Sequence, residues 1–238
     1  MMLRVKLVAL AALAGAMGLL GCDKEPAPEK CRSGCTTVTG RFVTGPNGRD
    51  PLPGVKLTLV WFRGYGFFGR TDVRKKSVAT SNANGEYMLR YGLTDEELNT
   101  GILDVDVAPL PYYGLNVIDV EAPRQRDITV TNPTYLLPRP ATLVMQLANP
   151  QAMQATDRID IYASTLTQPP LRIGYHGTST GFSSPQNPNS VTQHRLDMPA
   201  ELLIRLEVKR FRNSTLLSTS LDSLTLAPSE ARNYPVQF

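Results

Sequence analysis

Histidine is nearly missing from this chain: His176 and His194 are the only two in 238 residues. That scarcity removes the commonest general base and metal ligand from all but two places. There is no His-x-x-Glu pair of the zinc-peptidase kind, and no nucleophile elbow is expected beside either histidine. His194 stands three residues before Asp197. Without a third ligand, the pair reads as a solvated loop rather than a metal site. Blocks of one charge are also lacking, the longest basic run being Arg74, Lys75 and Lys76. The aromatics are not interleaved with basic residues in an RNA-binding pattern, so nucleic acid is not an expected partner. Only one apolar run exceeds ten residues, at 7–20. Its 14 residues fall short of the roughly 20 that a membrane-spanning helix needs.

That run follows Arg4 and Lys6 and ends on Leu19, Leu20, Gly21 and Cys22. A positive start, a short apolar stretch and a small residue before the break make residues 1–21 a signal peptide. The Leu-Leu-Gly-Cys ending resembles the lipobox of bacterial lipoproteins. The resemblance implies that the Cys22 thiol takes a diacylglyceryl group, that the chain is cut before it, and that the new amine is acylated with a fatty acid such as palmitate. Several acyl chains, each worth about 0.8 kcal/mol per buried methylene, anchor a domain to a leaflet where one chain binds only marginally. The expected place is the cell envelope, at the outer rather than the inner membrane, with periplasmic and surface-facing leaflets both open. Residues 1–21 hold two basic and no acidic side chains, so the remainder carries 23 basic against 21 acidic and a net charge of +2. That balance points to no charged polymer.

With Cys22 lipidated, Cys31 and Cys35 remain. In an oxidising compartment they can close a small disulfide loop with Gly34 at its turn; two free thiols or a metal site are the alternatives. Residues 23–30 are charged and proline-bearing and have no large apolar side chain, so residues 22–36 are expected to act as a tether.

Beyond the tether the hydrophobic period is two. Val55, Leu57 and Leu59 alternate with polar neighbours, as do Leu103, Val105 and Val107, while Leu202, Ile204, Leu206 and Val208 alternate with Leu203, Arg205, Glu207 and Lys209. These are half-buried strands. More strands are expected at 37–43, 76–80, 87–91, 128–130, 141–147, 158–163, 171–175, 221–226 and 234–238. The 19 prolines and 18 glycines fall largely between them. Only 94–99 reads as a helix, with Thr94 as its cap and Glu96 and Glu97 in its first turn. Many short strands with turn punctuation predict an all-β chain of two tandem antiparallel sandwiches, at 37–132 and 133–238. The boundary is set at the proline-rich stretch that follows Asn132. Residues 177–189 read as loop.

Within the first unit, Gly40-Arg41-Phe42-Val43, then Pro51-Leu52-Pro53-Gly54-Val55, then Asn84-Gly85-Glu86-Tyr87 resemble the carboxypeptidase regulatory-like family, a transthyretin-like sandwich. The Pro-Gly pair makes the corner before the second strand, and Asn84-Gly85 reads as a type I′ hairpin turn. The resemblance implies an accessory module without an active site or cofactor. The second unit resembles the Ig-like sandwiches of small envelope lipoproteins.

One departure from that family is an insertion at 61–73. Trp61, Phe62, Tyr65, Phe67 and Phe68 crowd there among Gly64, Gly66 and Gly69, beside Arg63 and Arg70. Such a cluster suits an envelope protein partner, a glycan or a peptide; alternatively Trp61 and Phe62 end a strand and the rest packs over the sandwich edge. Tyr112 and Tyr113 form a second candidate contact. Asp104 and Asp106 share a strand face that is expected to be solvated rather than to hold calcium. The sequence therefore describes a lipid-anchored binding or scaffolding module, with a structural or adhesive spacer as the alternative and an unrecognised enzyme as a third.

Overall fold

A computed structural model describes residues 27–108, 112, 120–165, 171–173, 177–184 and 190–238. The signal segment, Cys22, Tyr113 and His176 lie outside the described residues. The first sandwich contains β1 (Thr36–Thr44), β2 (Asp50–Pro51), β3 (Lys56–Phe62), β4 (Gly64–Gly66), β5 (Gly69–Thr71), β6 (Arg74–Thr80) and β7 (Glu86–Tyr91). It continues with α1 (Asp95–Asn99), β8 (Ile102–Val107) and β9 (Thr129–Leu136). The second contains β10 (Pro140–Leu147), β11 (Asp157–Thr165), β12 (Arg172–Ile173), β13 (Gly177–Ser183), β14 (Gln193–Pro199), β15 (Ile204–Arg212), β16 (Thr215–Leu224) and β17 (Ala231–Val236). Gly177–Ser183, expected as loop, is thus a strand.

The two sandwiches share one strand order. In each, the first strand lies between an antiparallel neighbour and the last strand, which runs parallel to it: β7-β1-β9 and β14-β10-β17. The second long strand then centres the opposite sheet, as β6-β3-β8 and β13-β11-β15. No sequence repeat announces this, because the period-two pattern constrains which face is apolar and not which apolar residue occupies it. The parallel pairs correct the expectation of purely antiparallel sheets.

Two cores follow from the alternation. Val38, Phe42, Leu57, Leu59, Leu89, Tyr91 and Leu137 fill the first, and Leu143, Met145, Ile159, Ile161, Phe182, Leu206 and Val208 the second. A fully buried side chain of this size is worth about 1.5–3 kcal/mol relative to exposure.

β9 runs through Asn132 and Pro133, where the sequence predicts the boundary, and yields to β10 only at 137–139. The ladder between β1 and β9 shifts register opposite Gly40, between pairs Thr39–Thr131 and Arg41–Thr134. Pro133 sits in that irregularity, where a missing N–H costs no ladder bond. The sandwiches are spliced rather than strung. Leu137 N–H donates to Val43 O at 2.8 Å, and β12 pairs with β9 in the first sheet. Val43, Leu136, Ile173 and Leu202 form a small core of their own.

Asn84-Gly85 does not form the expected type I′ hairpin. Gly85 has φ +77° but Asn84 keeps a negative φ, because the turn carries the chain from β6 in one sheet to β7 in the other. A Cβ on Gly85 would sit 2.1 Å from Phe42 O, so only glycine fits.

Candidate functional site

β3 ends in a run, Val60-Trp61-Phe62, that is buried on both faces of its sheet. Leu57 and Leu59 enter the first core. Phe62 shares a face with its neighbour's Ile102, Asp104 and Asp106 by register, pointing out of the sandwich. It is nevertheless fully buried, because the β4–β5 hairpin folds over it. The Tyr65 ring meets it edge-on at 5.1 Å and the Arg70 guanidinium lies 4.8 Å above its centroid. Trp61 is pinned separately: its Nε1–H donates to Thr100 O at 3.1 Å, and Arg74 covers its ring at 4.6 Å. Gly101, at φ +71°, lets the indole pass, since a Cβ there would come within 2.5 Å of the ring. Trp61 and Phe62 are therefore structural, which corrects their place among the candidate contacts.

The rest of the cluster is displayed. Gly66 pairs with Gly69, so Phe67 and Phe68 make a two-residue turn, a position that usually holds Gly, Asn or Asp. Their rings meet edge to face at 5.0 Å and are 96% and 99% exposed, with Tyr65 at 70% behind them. Two phenyl rings held wholly in water need a reason. Tyr112 is half-buried and packs on the first core, so it is not a free contact; Tyr113 lies outside the described residues.

Ion pairs stiffen the stalk. Arg70 binds both Asp106 oxygens at 2.7 and 2.9 Å and also reaches Asp104. The Asp106 hydrogen bond, ahead of an opposing burial cost, raises the Arg70 pKa further. The two carboxylates of β8 are thus paired with an arginine while remaining 40% and 51% exposed to water. Arg63 bridges Asp72 at 3.2 Å and Glu96 at 2.7 Å. Arg74 reaches Asp72, Glu96 and Glu97, each at 3.3 Å.

Beneath lies a buried pair. Lys76 Nζ contacts Glu97 at 3.0 and 3.1 Å, and Glu29 closes on the same ammonium. Glu97 also accepts from Thr94 N–H at 2.9 Å while Thr94 Oγ1 accepts from Glu97 N–H, a capping box that starts α1. Burial by itself would lift the Glu97 carboxyl, but the bonds from Thr94, Lys76 and Arg74 outweigh it and hold it below the usual range. The sequence marks Thr94 and Glu97 only as a helix start. That the same carboxylate neutralises a buried lysine depends on β6 crossing beneath α1.

The remaining sequence candidates disperse. Cys31 and Cys35 are joined in a disulfide that lies on Gly92, where a Cβ would stand 3.0 Å from Cys31 Sγ. His194 and Asp197 are three apart on β14, which puts them on opposite faces. The His194 ring bonds Gly181 O at 2.8 Å and leans on Phe182. Gly177-Thr178-Ser179-Thr180-Gly181 does spell the Gly-x-Ser-x-Gly pattern, contrary to expectation. It lies within β13, paired with β11 throughout and not on a strand-to-helix turn. A Cβ on Gly177 would come within 2.5 Å of the Tyr162 hydroxyl and one on Gly181 within 2.7 Å of Ile159 O, so both glycines make room for β11. Among the described residues no three His, Cys, Asp or Glu side chains gather where a metal ion could bind.

Two surfaces were not foreseen. A shallow groove of about 640 Å³ runs past Gly40, Tyr87, Met88 and Asn132. Its one buried hydroxyl, Tyr87, takes a hydrogen bond from Asn132 at 3.2 Å and is pushed up to about 12 by burial. The other is β16. It pairs with β15 along one edge, and nearly every residue of it is exposed.

No family model and no curated protein matches the sequence. Among solved structures, the chain is similar to the Bacillus anthracis TIE protein at 10% identity, covering 85% of this chain and 34% of that one, with a TM-score of 0.28. It spans about a third of that protein's length. It is also similar to the shaft pilin SpaA from Lactobacillus rhamnosus GG at 9% identity, covering 87% and 98%, with a TM-score of 0.27. A DUF3823 family protein from Bacteroides ovatus follows at 13% identity, 81% and 98% coverage and a TM-score of 0.22.

Proposed function

We propose that this chain is a lipid-anchored, non-catalytic envelope protein whose two spliced sandwiches hold the β4–β5 hairpin as a contact element, accessory to an outer-membrane or surface assembly. The observation that carries this reading is the Tyr65, Phe67 and Phe68 tip, apolar and exposed on a stalk whose own charges are already paired. Anchoring is supported by the Leu19-Leu20-Gly21-Cys22 sequence. The non-catalytic reading is supported by where the reactive side chains sit. Asp104, Asp106, Glu96 and Glu97 are bound to arginine or lysine, and His194 is turned into its own sheet. The test is labelling with a palmitate analogue of the whole chain and of Cys22→Ser. The wild type is expected to take up label and enter the detergent phase. Equal labelling of both, or of neither, sinks the anchor.

A second reading, a structural subunit joined by strand pairing, is favoured by β16. That edge carries one charge, Asp222, and neither lysine nor proline within Thr215–Leu224, whereas edges that stay single are usually blunted by such residues. Leu216, Leu217 and Leu221 are half-exposed or more. The occupant is a second copy of this chain adding its own β16. Concentration-dependent dimers in sedimentation, lost in Leu221→Lys, are the expected result; a monomer at every concentration removes this reading.

A further inference from the structure

We propose that Phe67 and Phe68 are a second membrane contact, dipping into the same lipid surface that holds the acylated Cys22. This rests on the anchoring reading above. The root of the hairpin and the entry of the tether coincide. Glu29 N–H donates to Lys75 O at 3.1 Å, and Lys75 follows directly on the hairpin's return, since β6 opens at Arg74 opposite Trp61. The same end carries the start of β1 and the end of β7, paired as Thr36–Tyr91. The second sandwich departs from the opposite end, after Leu136 at the end of β9, which runs parallel to β1. Six residues lie between Cys22 and Glu29, a span of at most about 25 Å when fully extended. The lipid therefore holds the root of the hairpin within reach of the bilayer, and because the hairpin turns back over β8, where Arg70 meets Asp104 and Asp106, its tip meets the bilayer along the flank of the first sandwich.

The tip has the form a bilayer accepts. Its two rings are set edge to face, and among the described residues nothing packs against their outer sides. A rigid partner would need a matching pocket, whereas a fluid interface needs none. Residues 64–69 carry no charge, and the flanking Arg63 and Arg70 are bound to Asp72, Glu96, Asp104 and Asp106. The contact is thus apolar, with Tyr65 behind the tip at the level where aromatic rings favour the headgroup boundary. Binding should depend little on salt or on anionic lipid, unlike a polybasic contact.

The test places Phe67→Trp in the full acylated chain, reconstituted in phosphatidylcholine vesicles with brominated acyl chains. Trp61, the only native tryptophan, is fully buried and serves as the internal control. The expected result is blue-shifted emission from position 67 that the bromines quench equally at low and high salt, with no quenching in the wild type. In a second arm the full chain carrying Cys22→Ser is mixed with plain phosphatidylcholine vesicles. Adding Phe67→Ser and Phe68→Ser should lower its partition about tenfold or more. Both positions are almost wholly exposed, so these changes leave the fold alone. A chain that floats with the vesicles while position 67 stays unquenched overturns the inference with the anchor intact. Blue-shifted but unquenched emission also overturns it, since protein then covers the tip. If mass spectrometry finds Cys22 unacylated, the anchor falls. The second arm still decides, a Phe-dependent partition supporting the tip contact and its absence overturning it.

Discussion

In the first sandwich the outer face of β6-β3-β8 is closed by the β4–β5 hairpin, so that Phe62 is buried on a side that would otherwise face water. In the second, the equivalent sheet β13-β11-β15 gains a further strand, β16, that is exposed along nearly its whole length. With one strand order used twice, the difference lies wholly in what is inserted between equivalent strands. The insertions leave each shared frame intact, which is why they are the places to look for function.

The same contrast holds for buried charge. In the first sandwich both members of the Lys76–Glu97 pair are out of water, at 1% and 0% exposure. In the second, Asp157 is buried, but its partner Arg212, bonded at 2.8 and 2.9 Å, is 35% exposed. Lys76→Met should cost about 3–5 kcal/mol, because Glu97 is left in a dry site with Arg74 as its one described cationic partner. Asp157→Ala should cost about 1–3 kcal/mol, since the orphaned Arg212 can turn to solvent. Urea unfolding of the two variants measures the difference; equal losses would break the contrast.

Acid should act on both pairs in one direction. The Arg212 hydrogen bond holds the Asp157 carboxyl below its ordinary range, and Glu97 is also held low. A carboxyl whose folded pKa lies below its unfolded one stabilises the fold above the unfolded value and loses that contribution as pH falls through the folded one. Stability measured by denaturant at about pH 3 should therefore fall below that at about pH 7. Glu97→Gln should shrink the gap, and an unchanged gap would assign acid sensitivity to other carboxylates.

Much of this was legible in the sequence, and the failures have physical causes. Alternation at Leu57, Leu59, Val105 and Val107 marked true strands because one face met a core and the other water. Thr94 and Glu97 marked the helix start because capping is local. The run Val60-Trp61-Phe62 leaves both readings of the insertion open, because contiguous apolar residues do not say what covers the second face; here a hairpin eight residues long does. β16 was placed late, at 221–226, because Thr215–Leu224 has no apolar alternation to read, both faces being wet. The splice through Val43, Leu136 and Ile173 joins residues too far apart in sequence for any local pattern to show.

Arg70 tests whether the hairpin is held by charge or by packing. Arg70→Met keeps the aliphatic stem over Phe62 and deletes the bonds to Asp104 and Asp106. Since these carboxylates are 40% and 51% exposed, each pair is worth about 1 kcal/mol or less. The expected loss is about 1 kcal/mol by urea unfolding. A loss of several would show that the network acts as a unit.

The smallest effects on stability should come from the two features that set the sandwiches apart. Phe67→Ser with Phe68→Ser, and Leu221→Lys, change side chains that make little buried contact in this fold, and surface changes of this kind stay within about 0.5 kcal/mol. If the hairpin tip and the β16 edge serve only to complete their own sandwiches, binding and self-association should be as indifferent as stability. If they are the contacts of the two units, each variant keeps its melting temperature and loses one interaction: vesicle contact for the first, dimerisation for the second. Exchanging the assays gives the sharper outcome. Leu221→Lys should leave vesicle contact untouched, and the Phe pair should leave dimerisation untouched, because the hairpin is rooted at the end of the first sandwich away from the second. A cross-effect in either direction would mean that the two contacts are one surface and that the division of labour between the sandwiches is wrong.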